Sequence, residues 1–242
     1  MRILELSEIH RVLTYRDIID RMRAGVIAYS RGECEMPMPM HLAIDTAEVH
    51  MKSSYRRGGR YFALKIAGTF PRNAARGLPT GNGMMLLSSA ETGEPVAFLA
   101  DGGYLTDVRT AAVAALAARE LGRADRTIGI LGTGIQARLQ AQLHRELLPL
   151  QQVWIWGRTA SHAEECCHDL ERLLPGIAIA RADSPQRLAS ETSLIITATA
   201  SRQPLLTAAD LQPRTHLSAV GADSPGNRSS TPRSSEKPPS FW

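Results

Sequence analysis

"RTIGILGTGIQARL", residues 126–139, decides the fold. Its first half is an aliphatic run without polar alternation, the pattern of a strand covered on both faces. Its second half reads as a helix. Between them Gly132, Gly134 and Ala137 stand in the spacing Gly-x-Gly-x-x-Ala. Strand, glycine turn and helix in that order make the dinucleotide fingerprint. Gly132 permits the tight turn, and Gly134 lets the backbone approach a pyrophosphate. Ala137 lets helix and strand pack closely. The helix N-terminus supplies positive potential for the phosphates.

Toward the C-terminus the chain keeps alternating. "VWIW" (153–156), "IAIAR" (177–181), "SLIITAT" (193–199) and "HLSAV" (216–220) read as strands. "SHAEECCHDLERLL" (161–174), "PQRLASE" (185–191) and the short "TAADL" (207–211) read as helical turns between them. This alternation predicts a parallel sheet with helices on both faces. Arg158 and Thr159 follow the second strand, where an acidic residue would grip a ribose 2′-hydroxyl. A guanidinium suits a 2′-phosphate instead, so NADP(H) is preferred over NAD(H). A solvated helix-start arginine is the plain alternative. Thr159 and Ser161 are expected to cap the next helix. Thr197 and Thr199 end the fourth strand, where either a cofactor-facing loop or ordinary turn chemistry fits.

Toward the N-terminus the pattern differs. Residues 7–30 read as two helices, the first capped by Ser7 and the second by Thr14, with Asp17 three residues on. Gly32 ends the second. Pro37 and Pro39 exclude a helix from "ECEMPMPMHL", residues 33–42. "AEVHMKSSY" (47–55), "RYFALKIAGTF" (60–70), "NGMMLLSSA" (82–90) and "PVAFLAD" (95–101) are partly alternating strands separated by turns. An alanine-rich helix then runs over 104–122, starting at Thr106 and Asp107 and stopped by Gly122. The expected fold class is α/β: a Rossmann-type parallel-sheet domain plus an N-terminal α+β domain. The boundaries are 1–123 and 124–226, followed by a disordered tail over 227–242.

Bulk composition is ordinary for a globular chain: 242 residues, 43% hydrophobic and 21% charged, with net charge +4. Nucleic acid would need a concentrated basic stripe. The nearest candidate, Arg56, Arg57 and Arg60, reads as a turn between strands. Three cysteines, Cys34, Cys166 and Cys167, make no disulfide framework and point to a reducing compartment. Cys166 and Cys167 are neighbours in a helix and read as packing residues, so no metal is expected. No run is long enough to span a membrane. A cytoplasmic location is the expectation.

Three residues are candidates for substrate chemistry. Lys65 sits mid-strand among apolar residues, costly to bury without an anion. Arg109 lies in the first turn of the long helix, where a carboxylate sits well. Asp223 follows the last strand, at the carboxyl end of the sheet. Each has a structural alternative: Lys65 can snorkel, Arg109 can pair with Asp107, and Asp223 can cap a turn.

Residues 63–121, then "ILGTGIQA", "VWIWGRT" and "GADSPG", together resemble the ornithine cyclodeaminase/mu-crystallin family. The resemblance covers roughly residues 1–226. It implies that Lys65 and Arg109 bind an amino-acid carboxylate and that Asp223 handles protons at the reacting centre. It gives Gly134 and Gln136 the diphosphate-loop role. It implies an NAD(P)-dependent enzyme of imine/amine redox, with the N-terminal domain binding substrate and pairing as a homodimer. The nominal activity is ornithine cyclodeamination to proline and ammonia. An NADPH-dependent pyrroline-2-carboxylate reductase or an inactive cofactor-binding remnant are the alternatives. One departure weighs against ornithine. The family's cation after the N-terminal prolines is absent, and Met40 and His41 stand there; His41 is a candidate substitute, but a lone histidine more often reads as a packed surface residue.

The last stretch departs too. No Val, Leu, Ile or Met lies between Val220 and Phe241, so nothing there can bury itself. Deleting one base from a stretch coding Gly-Lys-Ser-Glu-Leu-Asp-Pro, a family-like continuation, yields Gly226 through Pro232 as they stand. A frameshift after Gly226 is therefore expected, with an unrelated natural tail as the alternative. The expected consequences are an incomplete Rossmann domain, weak stability and little activity.

Overall fold

The computed structural model describes residues 1–221. Contacts divide the chain into two units, Met1–Thr110 and the remainder from Ala111.

The first unit opens with a strand, β1 (Arg2–Glu5), and two helices, α1 (Leu6–Val12) and α2 (Tyr15–Ser30). The second capping box is as expected. Thr14 Oγ1 accepts the Asp17 amide, and the Asp17 carboxylate accepts the Thr14 amide at 3.1 Å. The first cap is corrected. Glu5, not Ser7, is the N-cap, and Glu8 reaches back to the Glu5 amide at 3.0 Å. Then come β2 (Cys34–Glu35), β3 (Met40–Ile44), β4 (Ala47–Arg56), β5 (Tyr61–Thr69), β6 (Gly81–Ser89) and β7 (Pro95–Ala100). They form a seven-stranded sheet in the order β1-β7-β6-β5-β4-β2, with β3 also on β4. Three strands escape the sequence reading, the two-residue β2 among them. β1 is four residues long and is defined by its parallel pairing with β7, which is distant in sequence. β3 follows the prolines directly and is held by pairing to β4. Arg56 and Arg57 do lie at a turn, where they pair with Glu33 and Glu35.

The helix α3 (Tyr104–Glu120) starts two residues before the expected Thr106. The missed signal is "DGG". Buried Asp101 accepts the Leu105 amide at 2.8 Å. Gly102 and Gly103 take φ of +60° and +97°, in the left-handed region glycine tolerates. A side chain on Gly103 would meet Asn82 backbone carbon at 3.3 Å. That close approach seats the start of α3 against β6.

The second unit is the alternating part. Its strands are β8 (Thr127–Leu131), β9 (Gln152–Trp156), β10 (Ala178–Arg181), β11 (Leu194–Thr197) and β12 (His216–Ala219). Its helices are α4 (Ile135–Leu147), α5 (Ala160–Leu173) and α6 (Pro185–Glu191). The sheet is wholly parallel, in the order β10-β9-β8-β11-β12. The order reverses direction after β8, so the crevice at the end of β8 is the ligand position of doubly wound folds. Ile128, Ile130, Val153, Ile155, Leu194 and Ile196 are fully buried, as an unbroken aliphatic run predicts. Cys166 is buried in α5, which pushes its thiol up to about 11; it is packing, not chemistry. Buried His144 is pushed down to about 4 and stays neutral, with Nδ1–H donating to the Gln140 carbonyl at 2.8 Å.

Candidate active site

The glycine turn after β8 has the geometry the fingerprint requires. Gly132 takes φ +135°, and a Cβ there would lie 2.4 Å from the Ala198 carbonyl oxygen. Its amide donates to the Trp156 carbonyl at 2.9 Å. So this glycine is needed by the protein itself. Gly134 is different. It caps α4 with φ −81°, and a Cβ there would meet nothing within 4 Å. The protein leaves that space open, as backbone approach by a pyrophosphate needs. Ala137 is fully buried. Gln136 opens α4, and its side-chain oxygen accepts from Gln140.

Arg138 was not singled out in the sequence. Its Nη1 donates to the Thr133 carbonyl at 2.7 Å, and its Nε to the Asp169 carboxylate at 2.7 Å. It ties the glycine turn to α5. The signal was faint: an arginine one residue past the fingerprint alanine, on a helix already bearing polar residues.

Arg158 and Thr159 lie just beyond β9, both exposed. Among the described residues no hydrogen bond or ion pair holds Arg158. Thr159 stands at the N-cap of α5 but makes no side-chain cap bond, so the expected cap is not formed. Thr197 is fully buried at the end of β11, and its carbonyl accepts the Gly221 amide at 2.9 Å. Thr199 is half-buried in the loop that follows. A Cβ on Gly221 would meet the Thr199 backbone at 2.5 Å. The Thr197–Thr199 loop is therefore pressed between Gly132 and Gly221. Asp223 lies outside the described residues.

In the first unit, β5 presents Lys65 half-buried. Its direct cross-strand neighbour on β4 is Lys52. Facing residues of an antiparallel pair share a side of the sheet, and like charges so placed repel. Burial, then Arg109, then Lys52, push the Lys65 ammonium down to about 8. Asp101 and Asp107 pull the other way, more weakly. No hydrogen bond or ion pair engages Lys65 among the described residues. Arg109, in the second turn of α3, does have a partner. Three cations thus crowd one place, an arrangement that an incoming carboxylate relieves. Beside them the Asp101 Oδ1 atom is buried with no hydrogen-bond partner among the described residues. It is an acceptor for an N–H group. Lys52 and Asp101 were missed in the sequence. The Glu48–His50–Lys52 alternation on β4 carried the first signal.

A parallel sheet with a glycine-lined β8–α4 turn and a separate cation cluster on an antiparallel sheet define a dinucleotide-binding α/β protein with an anion-attracting partner sheet. The family model for the ornithine cyclodeaminase/mu-crystallin family matches residues 1–232. The chain belongs to that family. It is 40% identical over 191 residues to an uncharacterized cyclodeaminase of Sinorhizobium fredii, a match covering 77% of this chain and 57% of that protein. An archaeal alanine dehydrogenase, solved as a dimer with bound NAD, superposes with TM-score 0.84 at 26% identity, covering 94% of this chain and 69% of that one. The Thermococcus litoralis pyrroline-2-carboxylate reductase, in complex with NADH and L-proline, shares the fold at TM-score 0.85 and 24% identity, covering 90% and 68%. The chain spans just over half of the cyclodeaminase's length and about two thirds of these two structures. No helix among the described residues is long and apolar enough to cross a membrane.

Proposed function

We propose that the protein is an NAD(P)-dependent enzyme of imine/amine redox acting on a small α-amino or α-imino acid. The carrying observation is the half-buried Lys65 facing Lys52 beside Arg109, a crowding of cations that holds the Lys65 ammonium down and that a carboxylate would relieve. A nicotinamide bound at the β8–α4 turn would supply hydride exchange with the α-carbon. The chain's own residues do the rest. Lys65 and Arg109 hold the carboxylate. Asp223 is assigned proton transfer at the reacting nitrogen or carbon. Gly132, Gly134, Gln136, Thr197 and Thr199 shape the cofactor loop.

Two reactions fit this site. A cyclodeaminase oxidises ornithine at the α-carbon, closes the ring with loss of ammonia, and returns the hydride to give proline. A ketimine reductase takes only the last step, adding hydride and a proton to the C=N bond of pyrroline-2-carboxylate. Arg158, unpartnered among the described residues, and the missing cation at His41 favour the second. Ammonia separates them. Incubated with ornithine and oxidised cofactor, a cyclodeaminase releases one ammonia per proline. The reductase reading expects none, together with NADPH consumption on the cyclic imine. One ammonia per proline would overturn the reductase reading.

Arg158 is assigned the 2′-phosphate of NADPH. Arg158→Ala is expected to weaken NADPH about 10- to 100-fold, as loss of a charge-assisted bond worth ~1.5–3 kcal/mol does. NADH affinity should barely change. Equal losses for both cofactors, read by nicotinamide fluorescence, would refute the assignment.

We also infer a homodimer through the N-terminal sheet. Met40, Leu42 and Ile44 share one face of β3, with exposures of 65%, 49% and 44%. They pair with Met51, Val49 and Ala47, making an apolar band a lone subunit leaves wet. Sedimentation should give a dimer, and Leu42→Glu a monomer. A monomeric parent chain would contradict this.

A further inference from the structure

We propose that His41, Glu48 and His50 form a binding site for a divalent first-row metal ion, with zinc the best match. The β3–β4 pairing sets His41 directly opposite His50. Glu48 lies two residues from His50 on β4, so all three project from one face of the sheet. His41, standing alone in the sequence, is therefore not alone in the fold. Its Nε2 lies 3.4 Å from the Glu48 carboxylate, and His50 Nε2 lies 3.8 Å from the same oxygen. The three ligand atoms all fall within 4.8 Å of one another. Tetrahedral zinc with bonds of about 2.0–2.1 Å needs donors roughly 3.4 Å apart. One edge already has that length. The second, at 3.8 Å, needs to close by about 0.4 Å, and the third, no longer than 4.8 Å, by at most about 1.4 Å, within reach of the half-exposed rings by side-chain rotation. Two imidazoles and one carboxylate are a zinc donor set that leaves the fourth position open.

A plain ion-pair cluster would give these distances little purpose, since exposed pairs contribute about 0–1 kcal/mol. Both imidazoles turn a ring nitrogen toward one carboxylate oxygen, and their ring centroids are 4.9 Å apart. Lys52 and Lys65 lie on the same face, two residue pairs further along the strands. Their charge opposes a dication, so a moderate affinity is expected, with Kd about 10 µM.

Calorimetric titration of the metal-free 242-residue chain with zinc chloride tests this. One equivalent should bind. His41→Ala and His50→Ala should each weaken binding at least about tenfold, and the double variant should remove it. Cys34→Ser should leave it unchanged, which separates this site from thiol binding. Cobalt in place of zinc should give the intense visible bands of a tetrahedral site, lost in the double variant. Unaltered binding in the double variant, or none at millimolar zinc, overturns the proposal. These readouts need no turnover, so they stand or fall separately from the redox assignment.

Discussion

Lys65→Met is expected to lower kcat/KM for a carboxylate substrate about 10- to 100-fold while leaving NADPH affinity intact. A charge-assisted hydrogen bond of ~1.5–3 kcal/mol sets that range. The loss is finite because Arg109 remains. The wild-type chain also carries a pH signature. Lys65 titrates near about 8 because burial, Arg109 and Lys52 disfavour its charge. The cation is present below that pH and lost above it, while the substrate carboxylate stays anionic. So kcat/KM falls as pH rises through about 8, and the fall is absent in Lys65→Met. A bound carboxylate favours the ammonium, so in the kcat profile the same fall lies at higher pH. A flat profile for the wild type between neutral pH and about 9 would remove Lys65 from carboxylate binding.

Gly132→Ala and Gly134→Ala are expected to fail in different ways. At Gly132 the added Cβ meets the Ala198 carbonyl oxygen at 2.4 Å, and φ is +135°. The contact is with backbone, which has little room to give. Strained φ and overpacking each cost about 1–3 kcal/mol, so the variant melts well below the parent. At Gly134 the protein offers no obstacle within 4 Å. Gly134→Ala should melt like the parent and lose cofactor affinity about tenfold or more, because its methyl stands where the pyrophosphate comes. Undiminished cofactor binding in Gly134→Ala would mean that the open space serves something other than a phosphate.

The second unit was legible because its signals are local. Ile128, Ile130, Ile195 and Ile196 form runs that only a doubly covered strand satisfies, and Gly132 to Ala137 spell a turn whose geometry is contained in six residues. The first unit was harder. β1 exists only through its pairing with β7, and β3 through its pairing with β4. Neither has a pattern strong enough to announce itself. The same limit hid Lys52 and His50. A lysine on β4 means little until the β4–β5 register places it opposite Lys65, and His50 means little until the β3–β4 register places it opposite His41. Asp101 was passed over because a carboxylate before two glycines reads as a turn, whereas here it is buried and caps α3. Thr159 erred the other way: position and residue type promised a cap bond that the chain does not make.

The measurement that bears most directly on the redox assignment is the absorbance of NADPH mixed with the 242-residue chain and pyrroline-2-carboxylate. The account predicts loss of the reduced-nicotinamide absorbance matched mole for mole by proline. Tight NADPH binding with no oxidation, on this imine and on a panel of acyclic imino acids, would contradict it and leave a cofactor-binding protein without the chemistry.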